Sequence, residues 1–254
     1  MRKLLTTLTA LLGLVLLPLH AAELHVAVAA NFFGPLQKLA PLFEQASGNQ
    51  LVISSGSSGQ LYTQIKQGAP FDVFLSADTE KPQLLESEGL TVPGSRFTYA
   101  IGALVLWSAK PGLVDSAGKV LQAQQYRFIG VANPQTAPYG TAAQQVLTKL
   151  GLWDKLNRER KIVIGENITQ AWQFAATGNV DLAFVALSQV LDADGSITGS
   201  SWLVPQSMYD RIDQAAVILA HTNQKAAAEA FMTWLRTNPT ALSAIGSAGY
   251  HIAN

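Results

Sequence analysis

From residue 24 onward, short apolar runs alternate with amphipathic segments at helical spacing, and few architectures accommodate that pattern. Leu24 to Ala30 is a run of small apolar residues, as expected of a strand buried on both faces. Leu36, Leu39, Ala40 and Phe43 follow at helical spacing, and Gly48 stops that helix. The alternation continues with a strand at Leu51 to Ile53, a helix through Leu61 and Ile65 to Gly68, and a strand at Phe71 to Leu75. A helix capped by Asp78 then runs to Gly89. Arg96 to Ser108 breaks the rhythm, being long and strand-like with Gly102 inside it, and reads as a crossover into a second lobe. Beyond it, strands are expected at 126–132, 161–165 and 180–187, with helices at 141–150 and 169–177 between them. Ala215 to Ala220 is a late strand that carries the chain back, ahead of helices at 225–236 and 240–247. Such alternation predicts α/β architecture with parallel sheets. The expected division is 23–103 plus 215–254 for lobe 1 and 104–214 for lobe 2, with hinges near Ala103 and Ala215. A cleft between the lobes, beyond the carboxyl ends of the strands, is where a ligand belongs.

The first 22 residues carry a different message. Arg2 and Lys3 precede an uncharged apolar run from Leu4 to Leu19, and small residues Ala21 and Ala22 follow. That is the pattern of a cleavable export signal over 1–22. The run is short for a membrane span, which needs about 20 apolar residues. Export implies a periplasmic protein. The absence of cysteine excludes a lipid-anchoring thiol, a disulfide framework and a thiolate metal site.

Charge narrows the partners. The chain has 17 basic and 17 acidic residues, and without 1–22 the balance is 15 against 17. No basic run stands out, so nucleic acid is not an expected partner. A bound anion must then be held by local dipoles. Four strand-to-helix junctions offer them: Ala29-Ala30-Asn31-Phe32, Ser54 to Gly59, Ala137-Pro138-Tyr139-Gly140, and Glu166-Asn167-Ile168-Thr169. Each directs free N–H groups and the positive end of a helix out of a sheet. Asn31 also reads as an N-cap. None of the four contains Lys or Arg. A cradle made of donors alone suits a fully ionised oxyanion and rejects one that still carries a proton.

Other functions fit less well. A serine hydrolase needs an activated Ser with a His base. No G-x-S-x-G elbow is present, and only His25, His221 and His251 follow residue 22. Ser116 and Lys119 match S-x-x-K, but in a Gly-containing turn without companion motifs. A ferric-ion site would want clustered Tyr, His and carboxylates. No catalytic residue, cofactor or direct metal ligand is expected, and a monomer is.

At these junctions the sequence resembles the periplasmic molybdate-binding proteins of ABC importers, the ModA family. The resemblance runs from Glu23 to about Ile252. It is carried by VAVAANFFGPLQKLA, VISSGSSGQLYTQIKQGAPFDVFLSAD, GSRFTYAIGALVLWSAKPGL, ANPQTAPYG, LGLWDKL and DLAFVALSQV. It implies an α/β fold of the type II periplasmic-binding-protein class, with mixed, mostly parallel sheets and a double crossover hinge. It also implies capture of molybdate or tungstate for an inner-membrane ABC permease; another tetrahedral oxyanion such as sulfate is the alternative. By resemblance, Asn31 and Ser58 donate side-chain and backbone bonds from lobe 1, with Ala30 beside them. Tyr139 and Ile168 donate from lobe 2, largely through N–H groups. Asn31 and Tyr139 stand where many relatives have Ser and Ala, and Ala186 where some have a ligand-contacting Tyr; the first two changes resemble a recognised subgroup.

Overall fold

The computed structural model describes residues 21–252. The expected export signal falls almost wholly outside those residues. Among them, no helix is long and apolar enough to cross a membrane.

The first sheet is built from β1 (Glu23–Ala29), β2 (Gln50–Gly56), β3 (Val73–Leu75), β4 (Phe97–Gly102) and β10 (Ile212–Ile218), in the order β2-β1-β3-β10-β4. Strands β5 (Leu104–Ser108), β6 (Ile129–Ala132), β7 (Ile162–Gly165), β8 (Leu182–Ala186) and β9 (Ser200–Leu203) form the second, in the order β7-β6-β8-β5-β9. Both sheets are mixed. Strand β1 pairs in parallel with β2 and β3, and β6 with β7 and β8. All pairings of β10 and of β5 are antiparallel. These two strands follow the crossings: β4 of the first sheet leads through Ala103 into β5 of the second, and β9 of the second leads back into β10 of the first. The return crossing occupies 204–211, so Ala215 lies inside β10 rather than at a hinge.

Nine helices pack against these sheets among the described residues. They are α1 (Phe33–Ser47), α2 (Ser58–Lys66), α3 (Glu80–Ser87), α4 (Val120–Ala123), α5 (Pro138–Lys149), α6 (Trp153–Arg158), α7 (Ile168–Ala176), α8 (Lys225–Thr237) and α9 (Pro239–Ser247). The apolar runs read as doubly covered strands are so: residues 26–29, 73–75 and 182–186 are all buried. Helix α1 buries Leu36, Leu39, Ala40 and Phe43 and ends at Gly48, whose φ of 75° is the left-handed conformation glycine adopts freely. The N-cap of α3 is Thr79, without a side-chain cap, rather than Asp78; Asp78 sits one residue earlier, where its Oδ1 still accepts the Lys81 N–H at 2.8 Å. The core around the second sheet takes in Ala29, Ala30 and Ala77 from the first, so apolar packing continues across the space between the sheets.

Candidate functional site

The four junctions meet. Ala30, Asn31, Ser57, Ser58, Ala137, Pro138, Tyr139, Asn167 and Ile168 line one small cavity between the two sheets, together with Ala29 and Ala77. All five residues singled out from the sequence therefore face a common space, and each is at most 6% exposed. No lining residue carries a charge.

Helix-start geometry explains which donors are free. At α2, the Ser57 side chain accepts the Gln60 N–H, while Gln60 Oε1 receives the Ser57 N–H. That capping box engages the cap and the third helical N–H and leaves the first, on Ser58. At α7, Asn167 Oδ1 accepts from the N–H groups of Thr169 and Gln170 at 3.0 and 3.1 Å, leaving that of Ile168. Helix α5 begins with Pro138, which has no N–H, so Tyr139 carries the first donor. Gly140 lets α5 start there, because a Cβ would lie 2.3 Å from the Ala132 carbonyl oxygen. Asn31 sits in a 3₁₀ turn, Ala30–Phe32, before α1. Among the described residues, the N–H groups of Asn31, Ser58, Tyr139 and Ile168 donate to no protein acceptor. Ser58 adds its hydroxyl: Oγ accepts the Ala77 N–H at 2.9 Å, and its own proton has no protein acceptor among the described residues. Five donors thus converge without a cation.

The structure corrects the reading of Asn31. It is not the N-cap of α1; that position is Phe32, with no side-chain cap. Its Nδ2 instead donates to Gln214 Oε1 at 2.8 Å and to the Tyr250 hydroxyl at 2.9 Å. Both amide protons are spent on these partners, so Asn31 can donate to a ligand only through its backbone. Tyr139 likewise points its hydroxyl away, where it accepts from Gln214 Nε2 at 3.3 Å. Gln214 Oε1 also receives the Tyr99 hydroxyl. Burial raises the ionisation of Tyr99 and Tyr139 well above the phenol range and that of Tyr250 to about 12, so this network stays neutral at ordinary pH. Sequence reasoning missed Gln214 and Tyr250. A lone Gln beside an apolar strand run was the available signal for Gln214.

A larger groove of about 450 Å³ lies alongside and shares Ala77, Ala137 and Pro138. Its walls carry Asp78, Glu80, Asp210 and Asp213 against Lys81 and Arg211. That excess of carboxylates disfavours an anion, and the uncharged cavity remains the candidate site. Among the described residues no group of His, Cys, Asp and Glu is placed to ligate a metal ion directly.

Comparison with known proteins identifies the family and the fold. Residues 24–251 match the family model described as bacterial extracellular solute-binding protein. The chain is 51% identical to the molybdate-binding protein ModA of Azotobacter vinelandii, over 94% of this chain and 93% of that one. It is 49% identical to the ModA protein of Rhodobacter capsulatus, over 96% and 94% of the two chains. The solved Azotobacter vinelandii periplasmic molybdate-binding protein superposes with a TM-score of 0.90, covering 91% of this chain and all of that one. The chain therefore belongs to the bacterial extracellular solute-binding proteins, within the ModA family of molybdate-binding proteins.

Proposed function

We propose that this protein is the periplasmic receptor that captures molybdate or tungstate for an inner-membrane ABC permease. The observation that carries the reading is the convergence of unpartnered N–H groups from Asn31, Ser58, Tyr139 and Ile168 on a charge-free cavity between two α/β halves. Ala30 completes the wall. In this reading the two lobes expected from the sequence, 23–103 with 215–254 and 104–214, are kept with the return boundary moved to the 204–211 crossing, so that all of β10 joins the first, and the lobes close on the ion as a monomer.

The donor set supports a dianion. A hydrogen bond to a charged group contributes roughly 1.5–3 kcal/mol. Five of them outweigh an association cost of several kcal/mol and support sub-micromolar binding. Most side-chain acceptors of the lining, Ser57 Oγ, Ser58 Oγ and Asn167 Oδ1, are already engaged by backbone N–H groups. An ion that keeps a proton, such as hydrogen phosphate, would find few acceptors for it there, since among the described residues only Asn31 Oδ1 of the lining side chains has no donor. Sulfate meets the charge requirement but is smaller than molybdate, so five donors fixed on two rigid sheets reach it less well. The same lining places no His, carboxylate or Lys beside its serine hydroxyls to act as a general base, which supports capture rather than turnover, with no resident cofactor.

Calorimetric titration with molybdate, tungstate, sulfate and phosphate tests the proposal. Molybdate and tungstate are expected to bind with sub-micromolar Kd, and sulfate and phosphate far more weakly. Absence of binding by both molybdate and tungstate at micromolar concentration overturns it.

A further inference from the structure

Two hydroxyls that do not line the cavity reach across the space between the sheets and grip the first junction. Thr169 Oγ1 donates to the Ala30 carbonyl at 3.3 Å and is held in turn by Gln189 Nε2 at 3.2 Å. Ser188 Oγ lies 2.9 Å from both the Asn31 carbonyl and the Tyr250 hydroxyl. Tyr250 donates to the same Asn31 carbonyl at 2.8 Å. Thr169 and Ser188 sit on α7 and just after β8 of the second half, whereas Ala30 and Asn31 follow β1 of the first. The Ala30 carbonyl and the Asn31 N–H are opposite ends of one peptide group. Its N–H borders the cavity and its oxygen meets Thr169. A bond at the oxygen polarises the N–H and strengthens what it donates. Separation of the two halves must break both hydroxyl–carbonyl bonds.

We propose that Thr169 and Ser188 are positioning residues forming a closure latch, which holds the Ala30–Asn31 segment of the opposite lobe and couples occupancy of the anion site to lobe closure. The latch rests on the oxyanion-cradle reading above. Its bonds exist only in the closed form, so they add differential stability to that form. A ligand's apparent affinity scales with the fraction of protein in the competent state. The latch therefore governs release more than capture.

The test compares wild type, Thr169→Val, Ser188→Ala and the double variant by stopped-flow fluorescence with molybdate, by small-angle scattering and by melting of the ligand-free protein. Two neutral hydrogen bonds correspond to roughly tenfold in an equilibrium, so the double variant should release molybdate about ten times faster with nearly unchanged association. Its molybdate-saturated scattering should shift toward a more open form, its ligand-free melting should match wild type, and Ser188→Thr should keep slow release. Wild-type release in the double variant, or an equal fall in ligand-free melting, overturns the latch and leaves the cradle standing. Failure of wild type itself to bind molybdate or tungstate overturns the cradle reading and the latch with it.

Discussion

Set side by side, the two sheets follow one plan with different chemistry. Strands β2-β1-β3 correspond to β7-β6-β8, helices α1 and α5 leave the second strand, and α2 and α7 leave the edge strand. Asn31 thereby corresponds to Tyr139, and Ser58 to Ile168. The edge-strand helices are capped by a side chain, Ser57 or Asn167, and the second-strand helices are not. Even the far ends agree: Asp72 before β3 accepts the His25 N–H, and Asp181 before β8 accepts the Arg127 N–H. The difference lies in what each half brings to the cavity. The first half adds a hydroxyl, that of Ser58; the second presents only backbone N–H groups at its two donor positions. The second half also sends Thr169 and Ser188 across to the first. In the proposed reading, one half would hold more of the ion and the other would close over it.

The largest expected effect breaks this asymmetry at Ser58. Ser58→Ala removes the one side-chain donor and should weaken molybdate binding by about 2 kcal/mol, roughly thirtyfold. It also deprives the buried Ala77 N–H of its acceptor, so ligand-free stability should fall by about 1–2 kcal/mol. Titration and denaturant unfolding separate the two losses, and unchanged affinity would remove the first half's advantage. Ile168→Pro probes the corresponding position with a single backbone donor at stake. Proline is tolerated at a first helical position, and Asn167 at φ −147°, ψ 177° already has a conformation that precedes proline readily. Binding should weaken by about 1.5 kcal/mol, near tenfold. Lost packing of the buried Ile168 side chain is read separately in the ligand-free melting temperature. Wild-type affinity would mean that the second half covers the ion without donating to it at this position.

Much of the plan was legible because strands covered on both faces announce themselves as apolar runs. The edges were less legible. Strand β9, Ser-Ser-Trp-Leu, is a short edge strand and lacks an apolar run, and β10 begins at Ile212 because pairing with β4 recruits Asp213 and Gln214 as well. Strand β6 begins at Ile129, three residues later than the apolar pattern from Tyr126 implied. At the site, helix starts could be read locally, since caps and first-turn donors depend on neighbouring residues. Choosing among the serines of Ser54 to Gly59 could not, because Ser58 is selected by the Ala77 N–H, 19 residues away. Asn31 failed for the same reason. An Asn at a strand end looks like a cap, and only partners 183 and 219 residues distant turn its amide inward. The correspondence between the halves is likewise structural, because no sequence repeat marks it.

The smallest expected effect concerns the far ends of the sheets, where the halves again differ. Asp72 is satisfied by the His25 N–H and the Thr222 hydroxyl. Asp181 instead meets two cations, Lys110 Nζ at 2.6 Å and Arg127 Nε at 3.2 Å. Burial pushes the Asp181 carboxyl up, but hydrogen bonds from Arg127 and Lys110 more than offset it and hold the group below the ordinary carboxylate range. A carboxyl depressed on folding contributes stability that is complete above its unfolded value of 3.8 and is lost as pH falls through the lower folded value. The cation side chains are 59% and 66% exposed, so solvent screens much of the attraction. Asp181→Asn preserves an acceptor for the Arg127 N–H and should cost only about 1 kcal/mol at pH 7. Denaturant unfolding of wild type and variant should show that gap at pH 7 and pH 5 and see it narrow at pH 3. A gap that ignores pH would assign the contribution to shape and hydrogen bonding, and the two aspartates would then be equivalent in chemistry as well as in position.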